Sequence, residues 1–423
     1  YPTYLTFSPT VNGGAWLQNG QKTTTIGVPT AITTELTWEK VRNWNVGLDW
    51  ALLDNRLTGS FDYYTRYTID MMGASVELPS ILGYTPPKTN NTDLKTYGWE
   101  FEIAWQDRLR NGFTYSAKFL LSDAQTVVTR YPSNTTGSID QYIAGEKIGN
   151  IWGYETVGIA QSQEQMNAHL DQLDENYFNH NGYFPSESRQ GQSALGSGWG
   201  AGDIMYADLD GDGRISAGER TMQNHGDLKL LGNNTPRYQF GIDLNAAWYG
   251  VDLRIFFQGV MKRDYWQGSS YFWGANTDDT WSAALTQHLD FWRDENSLLV
   301  QQGIMEANTD AYYPRPSFDR GGKYGRNHQP QSRYMQNAAY IRLKNLQIGY
   351  TFPDKWMSKA HIEKFRLYFS AENIWTGTSL VKMFDPETLD GGNYNLEKDW
   401  RTLNNGNAYP LSMQLSCGLS ITF

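Results

Sequence analysis

Apolar and polar residues alternate strictly along the last stretch of the chain. From Leu411 to Phe423 every odd position is apolar and every even position is small or polar. Because successive side chains of an extended strand point to opposite faces, this pattern predicts a strand with one apolar and one polar side. A surface helix would repeat every 3.6 residues, and a strand buried on both faces would be apolar throughout. The stretch is long enough for a tilted strand that crosses a bilayer, which needs about 9–11 residues.

The same alternation recurs along the chain and predicts eight further strands. With the last stretch, the nine strands begin near residues 43, 57, 97, 113, 238, 251, 339, 365 and 411. Tight turns, such as the one at Tyr249-Gly250, alternate with loops of about thirty residues or more, an asymmetry typical of outer-membrane barrels with short periplasmic turns and long extracellular loops. We therefore predict an all-β fold, a transmembrane antiparallel β-barrel. The alternative is a soluble β-sandwich or propeller, which would have short turns at both strand ends.

Three local features refine this pattern. The apolar phase changes between Leu343 and Leu346, which predicts a bulge near Lys344-Asn345. Residues 65–96, 123–236 and 261–336 are predicted as long loops. Within the second of these loops, Ser162 to Gln165 fits a capping box that opens a short helix ending near Leu173.

Composition narrows the classes of function. The net charge is −10, which argues against nucleic-acid binding. The single cysteine, Cys417, cannot form an internal disulfide and lies on the apolar side of the last strand, where it serves as a small hydrophobe. The chain opens on Tyr1 without a signal peptide. We therefore expect it to be the carboxy-terminal part, residues 1–423, of a longer barrel protein whose first strands lie upstream.

Several stretches, taken in chain order, resemble one family. They are Leu36–Lys40, Asn45–Asp49, Asn55–Leu57, Ala207–Gly213, Phe256–Gly259, Ala339–Leu346, Gly349–Pro353, Glu372–Trp375 and Asp385–Glu387. These segments resemble the SusC/RagA-like TonB-dependent outer-membrane transporters, and together they span about residues 36–423. The resemblance covers nearly the whole chain.

The resemblance implies a 22-stranded barrel with an amino-terminal plug, and we expect the plug and the first strands of the barrel to be absent from this chain. It also implies an outer-membrane location in a Gram-negative bacterium, coupling to TonB, and a surface lipoprotein partner of the SusD type. The implied activity is import of a nutrient, and an oligosaccharide is favoured over a peptide. Two other functions stay open at this stage: a passive porin or adhesin, and an enzyme embedded in an outer-membrane barrel.

One acidic segment fits a metal-binding pattern. Residues 208–219 match D-x-D-x-D-G-x₅-E at every specified position. Calcium ligands would come from Asp208, Asp210, Asp212, the Arg214 carbonyl, Ser216 and Glu219. The preceding residues read as extended, so the paired helices of an EF-hand are absent from the pattern. The alternative is an Asp/Gly-rich turn whose side chains hydrogen-bond its own backbone.

Aromatic residues in the long loops are candidates for binding a ligand. Trp199, Trp266, Tyr271, Trp273 and Trp281 could stack on sugar rings. The alternative for each of them is packing within the loops or against a partner. Tryptophans at the strand ends instead suit anchors at the lipid interface. The sequence shows neither H-E-x-x-H nor G-x-S-x-G, so no motif supports a catalytic role.

Overall fold

Nine long strands dominate the protein. The computed structural model describes residues 7, 9–10, 17–27, 32–33, 36–76, 81, 87–268, 270–274, 284–316, 326–389 and 408–423. Within these ranges one large antiparallel sheet contains β1 (Lys40–Leu52), β2 (Leu57–Ala74), β3 (Lys88–Arg108), β4 (Thr114–Arg130), β5 (Arg237–Trp248), β6 (Val251–Lys262), β7 (Tyr340–Thr351), β8 (Lys364–Thr378) and β9 (Gln414–Thr422). The strands lie side by side in chain order. The predicted all-β fold with nine sequential strands is confirmed.

The register of the sheet places apolar and polar residues in alternating rows. One row across β4–β9 consists of Ala117, Leu244, Ile255, Leu346, Ala371 and Leu415. The adjacent row consists of Ser116, Asn245, Arg254, Gln347, Ser370 and Ser416. Because neighbouring residues of a strand point to opposite faces, these rows lie on opposite sides of the sheet. The sheet therefore has one apolar and one polar face.

The apolar face is exposed rather than covered by protein. Its exposed side chains include Trp44, Val46, Leu48, Leu244, Trp248, Ile348, Leu367, Phe369, Trp375, Leu415 and Leu419. An apolar surface of this extent is unfavourable in water by about 25 cal/mol per Å² and is rare on soluble monomers. It suits contact with lipid, as predicted. In the described part of the chain, no helix is long and apolar enough to cross a membrane.

Turn and bulge geometry follows the sequence closely. Tyr249 and Gly250 both have positive φ, 48° and 85°, as the two central residues of a type I′ hairpin require. The register of β7 shifts against β6 between Phe256 and Phe257, and against β8 between Leu343 and Asn345. The predicted bulge near Lys344-Asn345 is thus confirmed, and it restores the apolar phase of the strand.

Strands β2–β4 are longer than predicted. The segment 65–96 was expected to be a loop, but residues up to Ala74 continue β2 and residues from Lys88 begin β3. Strand β4 likewise continues to Arg130. These extensions carry polar residues in both phases, so alternation of apolar residues, the signal used to find strands, does not mark them.

The chain divides into two compact units, and each of β1–β4 contributes residues to both. The first contains Tyr1–Val46, Tyr63–Gly98 and Gln125–Ile148. In this unit the Arg130 guanidinium donates to Asp93 at 2.7 Å and to Asp70 at 2.9 Å, and Lys40 lies 3.1 Å from Asp70. This charge cluster joins the extensions of β2, β3 and β4, and it explains why polar residues there remain in strands.

The second unit contains Gly47–Asp62, Trp99–Ala124 and Gly149–Phe423. It holds the insertions at 149–236 and 263–339. Their strands are Asn150–Tyr154, Thr156–Ile159, Ile204–Tyr206, Leu228–Asn233, Asp264–Tyr265 and Gln336–Asn337. Short helical segments are Ser193–Leu195, Ser270–Trp273, Thr286–Leu289, Leu298–Gln301 and Ser332–Tyr334, with Asp354–Met357 and Ser358–Ala360 between β7 and β8. Outside the sheet, the first unit has the short strands Pro9–Thr10, Leu17–Gln18, Gln21–Lys22 and Thr25–Ile26.

The helix predicted in the first insertion is present but longer than expected. Helix α1 spans Gln163–Asn181, and the Ser162 side chain accepts from the Gln165 backbone N–H as predicted. The Gln165 side chain accepts from the Gln161 N–H, one residue before the predicted partner. The helix ends at Gly182, whose positive φ and N–H bond to the Phe178 carbonyl form a left-handed cap. The predicted end near Leu173 was wrong because Leu173 is the last buried apolar residue of the helix and not its last residue.

Candidate functional site

The polar face of the sheet carries ion pairs that join residues of different strands and turns. In the second unit these pairs are Arg56–Asp107, Glu102–Lys118, Asp243–Arg254 and Asp252–Arg366. Every acidic member of these pairs has a cation within 3.6 Å, so the charges of these eight side chains offset one another. Exposed pairs of this kind add little stability, about 0–1 kcal/mol each. Their main effect is to present donors and acceptors without a strong net field.

A cavity of about 620 Å³ lies on this side of the second unit. Its lining includes Arg56, Asp107, Arg108, Asn245, Arg254 and Gln347. These side chains offer both hydrogen-bond donors and acceptors. Tyr115, Ala246, Ala247 and Leu253 also line the cavity, so it can hold a molecule or a protein segment that has both polar and apolar groups.

The two large insertions are joined through the buried side chain of Asp203. Its carboxylate is fully shielded from solvent and accepts from Arg315 at 2.9 Å and from the Asn327 amide at 2.9 Å. It also accepts from the Gly200 N–H in its own insertion at 2.9 Å. A buried carboxylate is tolerated only when it is paired and hydrogen-bonded, and these contacts meet that need. Asp203 thus ties residues of the first insertion to residues of the second.

Further buried amide and phenol groups extend this connection. The Tyr206 hydroxyl donates to the Arg326 carbonyl at 2.8 Å, and the Gln331 side chain donates to the Asn327 carbonyl at 2.7 Å. The Tyr154 N–H donates to the Pro330 carbonyl at 2.8 Å. Burial raises the pKa of Tyr206 well above its ordinary value, so the hydroxyl stays protonated and able to donate. We call residues 149–236 and 263–339 together the loop assembly.

The tryptophans predicted to stack on sugar pack inside the loop assembly. Trp199, Trp266 and Trp273 are only 9%, 4% and 6% exposed. Trp273 lies 4.4 Å from His328 between ring centroids, and burial lowers the pKa of His328 to about 4. A sugar-binding role for these three residues stays a prediction and would need the rings to become exposed. The Tyr271 side chain and Trp281 lie outside the described residues.

Strand β7 also holds the segment that follows β8. The Arg342 guanidinium, almost fully buried, donates to Asp385 at 2.7 Å and to Glu387 at 2.8 Å. Lys344 donates to Glu387 at 2.9 Å. Two segments singled out by the family resemblance, Ala339–Leu346 and Asp385–Glu387, therefore contact each other directly.

Residues 208–219, which we call the acidic turn, hydrogen-bond their own backbone through their carboxylates. Asp208 accepts from the Gly211 and Gly213 N–H groups at 2.8 and 3.0 Å, and Asp212 accepts from the Arg214 N–H at 2.6 Å. Gly213 has a φ of 75° and packs so closely on α1 that an added Cβ would lie 2.3 Å from the Leu173 carbonyl oxygen. The turn is thereby fixed to the helix, as an Asp/Gly-rich turn would be.

Three carboxylates also converge at this turn. Among the described residues, Asp208, Asp210 and Asp227 place one oxygen each within 4.8 Å of the others. Burial raises the pKa of Asp227 to about 6, and the nearby Asp208 and Asp210 add to this effect. Desolvation likewise raises the pKa of Asp212, with Asp210 and Asp208 contributing. An oxygen-rich group of this kind suits a hard cation such as calcium.

The converging group differs from the ligand set expected from the motif. Asp212 and Glu219 do not belong to the three, and the Glu219 residue is exposed. The Ser216 N–H donates to Asp227 at 2.8 Å, while the Arg214 guanidinium lies over the Tyr177 ring. The sequence motif did not identify Asp227, because Asp227 lies beyond residue 219, the last position that the motif specifies. It reaches the turn through a backbone pairing in which its N–H donates to the Ser216 carbonyl at 2.9 Å.

Comparisons with known proteins agree with this architecture. The chain is 28% identical over 404 residues to TonB-dependent receptor P3 of Formosa agariphila, and the match covers 92% of this chain and 34% of that protein. It is 23% identical over 402 residues to TonB-dependent receptor SusC of Bacteroides thetaiotaomicron, covering 93% and 33% respectively. No family model matches the chain. The chain spans about a third of the length of these relatives.

A solved structure shares the fold. The structure of the RagAB peptide transporter matches with a TM-score of 0.61 and 18% identity, over 99% of this chain and 38% of that chain. Together with the sheet described above, the matches define a β-barrel protein of the Gram-negative outer membrane. Within that class, the resemblance seen in the sequence is confirmed: the chain is similar in sequence to TonB-dependent receptors that include SusC, and similar in fold to a chain of the RagAB peptide transporter.

Proposed function

We propose that the protein to which this chain belongs imports a nutrient across the outer membrane in a TonB-coupled cycle. The proposal rests on the sheet itself. Its apolar face is exposed, as contact with lipid requires, and its polar face carries ion pairs, as a wet interior would allow. Similarity to proteins named TonB-dependent receptors supports the coupling. The relatives bear names of receptors and a transporter rather than of enzymes, which supports transport over catalysis.

We further propose an oligosaccharide as the cargo and a SusD-like surface lipoprotein as the partner. Side chains that can hydrogen-bond uncharged hydroxyl groups, including Asn245, Gln347 and Ser116, line the polar cavity. The acidic side chains that line the cavity, Asp107 and Asp252, each pair with an arginine, and this pairing favours an uncharged cargo over a cationic one. A peptide is the competing cargo, since the protein with a similar fold is described as a peptide transporter.

The test is uptake by cells that carry the full-length protein. We expect labelled oligosaccharide to accumulate in these cells, and accumulation to stop when the tonB gene is deleted or the surface lipoprotein is removed. Labelled peptides of similar size are the matched comparison. Uptake that persists without TonB would instead support a passive porin. Hydrolysis of the oligosaccharide by the purified protein would support an enzyme.

We also propose that the acidic turn binds calcium as a structural ion. The sequence pattern supplies four carboxylates, and three carboxylate oxygens that include Asp227 converge in space. Without a cation these charges repel one another, and this repulsion adds to the burial that raises the pKa of Asp227. Asp208, Asp210 and Asp227 would hold the ion, and its charge would stabilise the turn against α1.

A pair of variants tests the calcium proposal. In the purified full-length protein, Asp210→Ala with Asp212→Ala should abolish calcium-dependent protection of the turn from proteolysis and leave the barrel intact. Asp171→Ala is the matched control, because Asp171 lies on α1 and pairs with Arg189 at 2.7 Å. Proteolysis of the unaltered protein that does not respond to millimolar calcium would show that the segment is only a turn.

A further inference from the structure

Exposed aromatic residues gather at the end of helix α1, outside the sheet. Phe184 and Tyr183 are each 60% exposed, and Phe178 is 39% exposed. The exposed aromatic residues of the strands face lipid, but these three lie on the first insertion, which crosses no membrane. Apolar surface left open on a loop is unfavourable in water and marks a site of interaction when it is clustered.

These residues form an ordered cluster, which we call the aromatic platform: Tyr177, Phe178, Tyr183 and Phe184. The Phe178 and Phe184 rings stack with centroids 4.5 Å apart, and the Tyr177 and Tyr183 rings meet edge to face at 5.8 Å. Gly182, in its left-handed conformation, turns the chain so that both pairs can form. The rings are therefore held in place before any partner arrives, which reduces the entropy lost on binding.

Acidic residues lie beside the platform. Helix α1 contains neither Lys nor Arg, and its exposed Glu175 lies two residues before Tyr177, whereas Asp171 pairs with Arg189. At its end, Asn176 donates to Asp208 of the acidic turn at 2.8 Å, and the Arg214 guanidinium lies 4.5 Å from the centre of the Tyr177 ring. The platform is thus an apolar centre with Glu175 and the acidic turn beside it and one cation, Arg214, on the Tyr177 ring.

We propose that the aromatic platform is a docking surface for the surface lipoprotein, which would meet it with an apolar pocket bordered by Lys or Arg side chains. This inference rests on the proposed function, because it assigns a surface to the partner named there. Ordered aromatic side chains are the typical centres of protein interfaces, and complementary charge around them speeds association and fixes orientation. A basic border on the partner would complement Glu175 and the acidic turn.

Two other occupants fit the observations less well. A lipid surface with anionic headgroups would be repelled by the acidic helix. A glycan would be expected in a concave site with converging polar side chains, whereas none of the four rings lines the cavity of about 620 Å³ described above. The inward faces of the Phe178 and Phe184 rings are also covered, since they stack on each other.

The test measures binding of the purified lipoprotein of the same uptake system to the full-length receptor. We expect Phe178→Ser with Phe184→Ser to raise the Kd at least tenfold. Glu175→Lys, an exposed change that leaves the platform in place, should raise the Kd several-fold and reduce its dependence on salt. Val157→Ser is the matched control, because Val157 is 61% exposed on the same insertion but lies outside the platform.

The outcomes separate this inference from the proposed function. An unchanged Kd in both the double variant and Glu175→Lys would overturn the platform as the docking surface while leaving the partner in place. An unaltered receptor that does not bind the lipoprotein would overturn the partner assignment as well. Loss of oligosaccharide binding in the double variant with lipoprotein binding intact would reassign the platform to a glycan.

Discussion

The sheet and the loop assembly depend on opposite kinds of contact. In the sheet, apolar residues are exposed and charged residues lie in pairs on the polar face. The stability of the sheet therefore comes from many similar contacts between neighbouring strands. In the loop assembly, a few polar groups such as Asp203 and Gln331 are buried and join residues more than a hundred positions apart. The sheet is repetitive, whereas each contact in the loop assembly is unique.

This difference changes what a single substitution should do. A residue in one of the apolar or polar rows of the sheet has similar residues on the neighbouring strands. Its replacement should therefore disturb only the contacts at that position. A buried carboxylate with several partners has no substitute, because removal leaves those partners unpaired away from water. Damage to the loop assembly should therefore be larger than damage to the sheet for a change of similar size.

The largest effect is expected at Asp203. Asp203→Ala leaves the Arg315 and Asn327 side chains without their shared acceptor and should destabilise the loop assembly by about 3–5 kcal/mol. Limited proteolysis of the full-length protein should show cleavage between residues 149 and 339, with the heat-modifiable mobility of the barrel retained. The control is Asp171→Ala, which removes an exposed pair and should cost at most about 1 kcal/mol. Equal resistance of the two variants would contradict the proposed role of Asp203.

The next effect tests the two faces of the sheet. Leu419 is 62% exposed and pairs with Leu367 on the apolar face, whereas Ser420 pairs with Arg366 on the polar face. Leu419→Arg should cost about 2–4 kcal/mol near the middle of the bilayer, and Ser420→Arg much less. Unfolding of the full-length barrel in lipid measures both. A similar cost for the two variants would show that the faces are assigned wrongly.

The contrast also explains how much could be predicted from sequence. Alternation located all nine strands, and a change of phase located the bulge at Lys344-Asn345, because both are local consequences of strand geometry. The pairing of Asp203 with Arg315 could not be predicted, since it joins two loops that share no periodic pattern. Asp227 could not be predicted for the same reason. It lies outside the motif and is brought close to Asp208 and Asp210 only when the chain folds.

A smaller effect should appear when the pH falls. In the unfolded chain the pKa of His328 is near its ordinary value of 6.5, and burial lowers it to about 4 in the folded protein. The unfolded chain therefore takes up the proton first, and the loop assembly loses stability as the pH falls from 6.5 to 4, by up to about 3 kcal/mol. Burial lowers the pKa of His169 too, so its contribution has the same sign.

His328→Phe isolates this contribution. Phenylalanine keeps a ring that can pack against Trp273 and cannot take up a proton. Between pH 6.5 and 4, proteolysis of the loop assembly should accelerate less in the variant than in the unaltered protein. Identical pH profiles would mean that His328 does not titrate in the folded assembly.

The smallest effect is expected at Gly349. This residue lies in the sheet, but, like the residues of the loop assembly, it is part of one particular contact. The Asp252–Arg366 pair crosses from β6 to β8 over this glycine, and an added Cβ would lie 2.4 Å from Arg366 Nη2 and 2.6 Å from Asp252 Oδ1. Alanine is intrinsically better than glycine in a strand by roughly 0.5–1 kcal/mol. Gly349→Ala must also force the Asp252 and Arg366 side chains away from their rotamers, at about 0.5–1.5 kcal/mol each, and weaken their ion pair, so we expect a net loss of about 1 kcal/mol.

A double-mutant cycle decides whether the ion pair causes that loss. With Asp252→Ala in the background, the space above residue 349 opens, and Gly349→Ala should become neutral or stabilising because only the backbone preference remains. The free energy of unfolding of the full-length barrel in lipid gives the coupling between the two changes. An equal cost of Gly349→Ala in both backgrounds would mean that the glycine is required by the strand itself. If Gly349→Ala is destabilising in the unaltered protein and stabilising in the Asp252→Ala background, the ion pair is the reason that residue 349 must be glycine. The repetitive sheet would then contain a position whose residue is required by one particular contact.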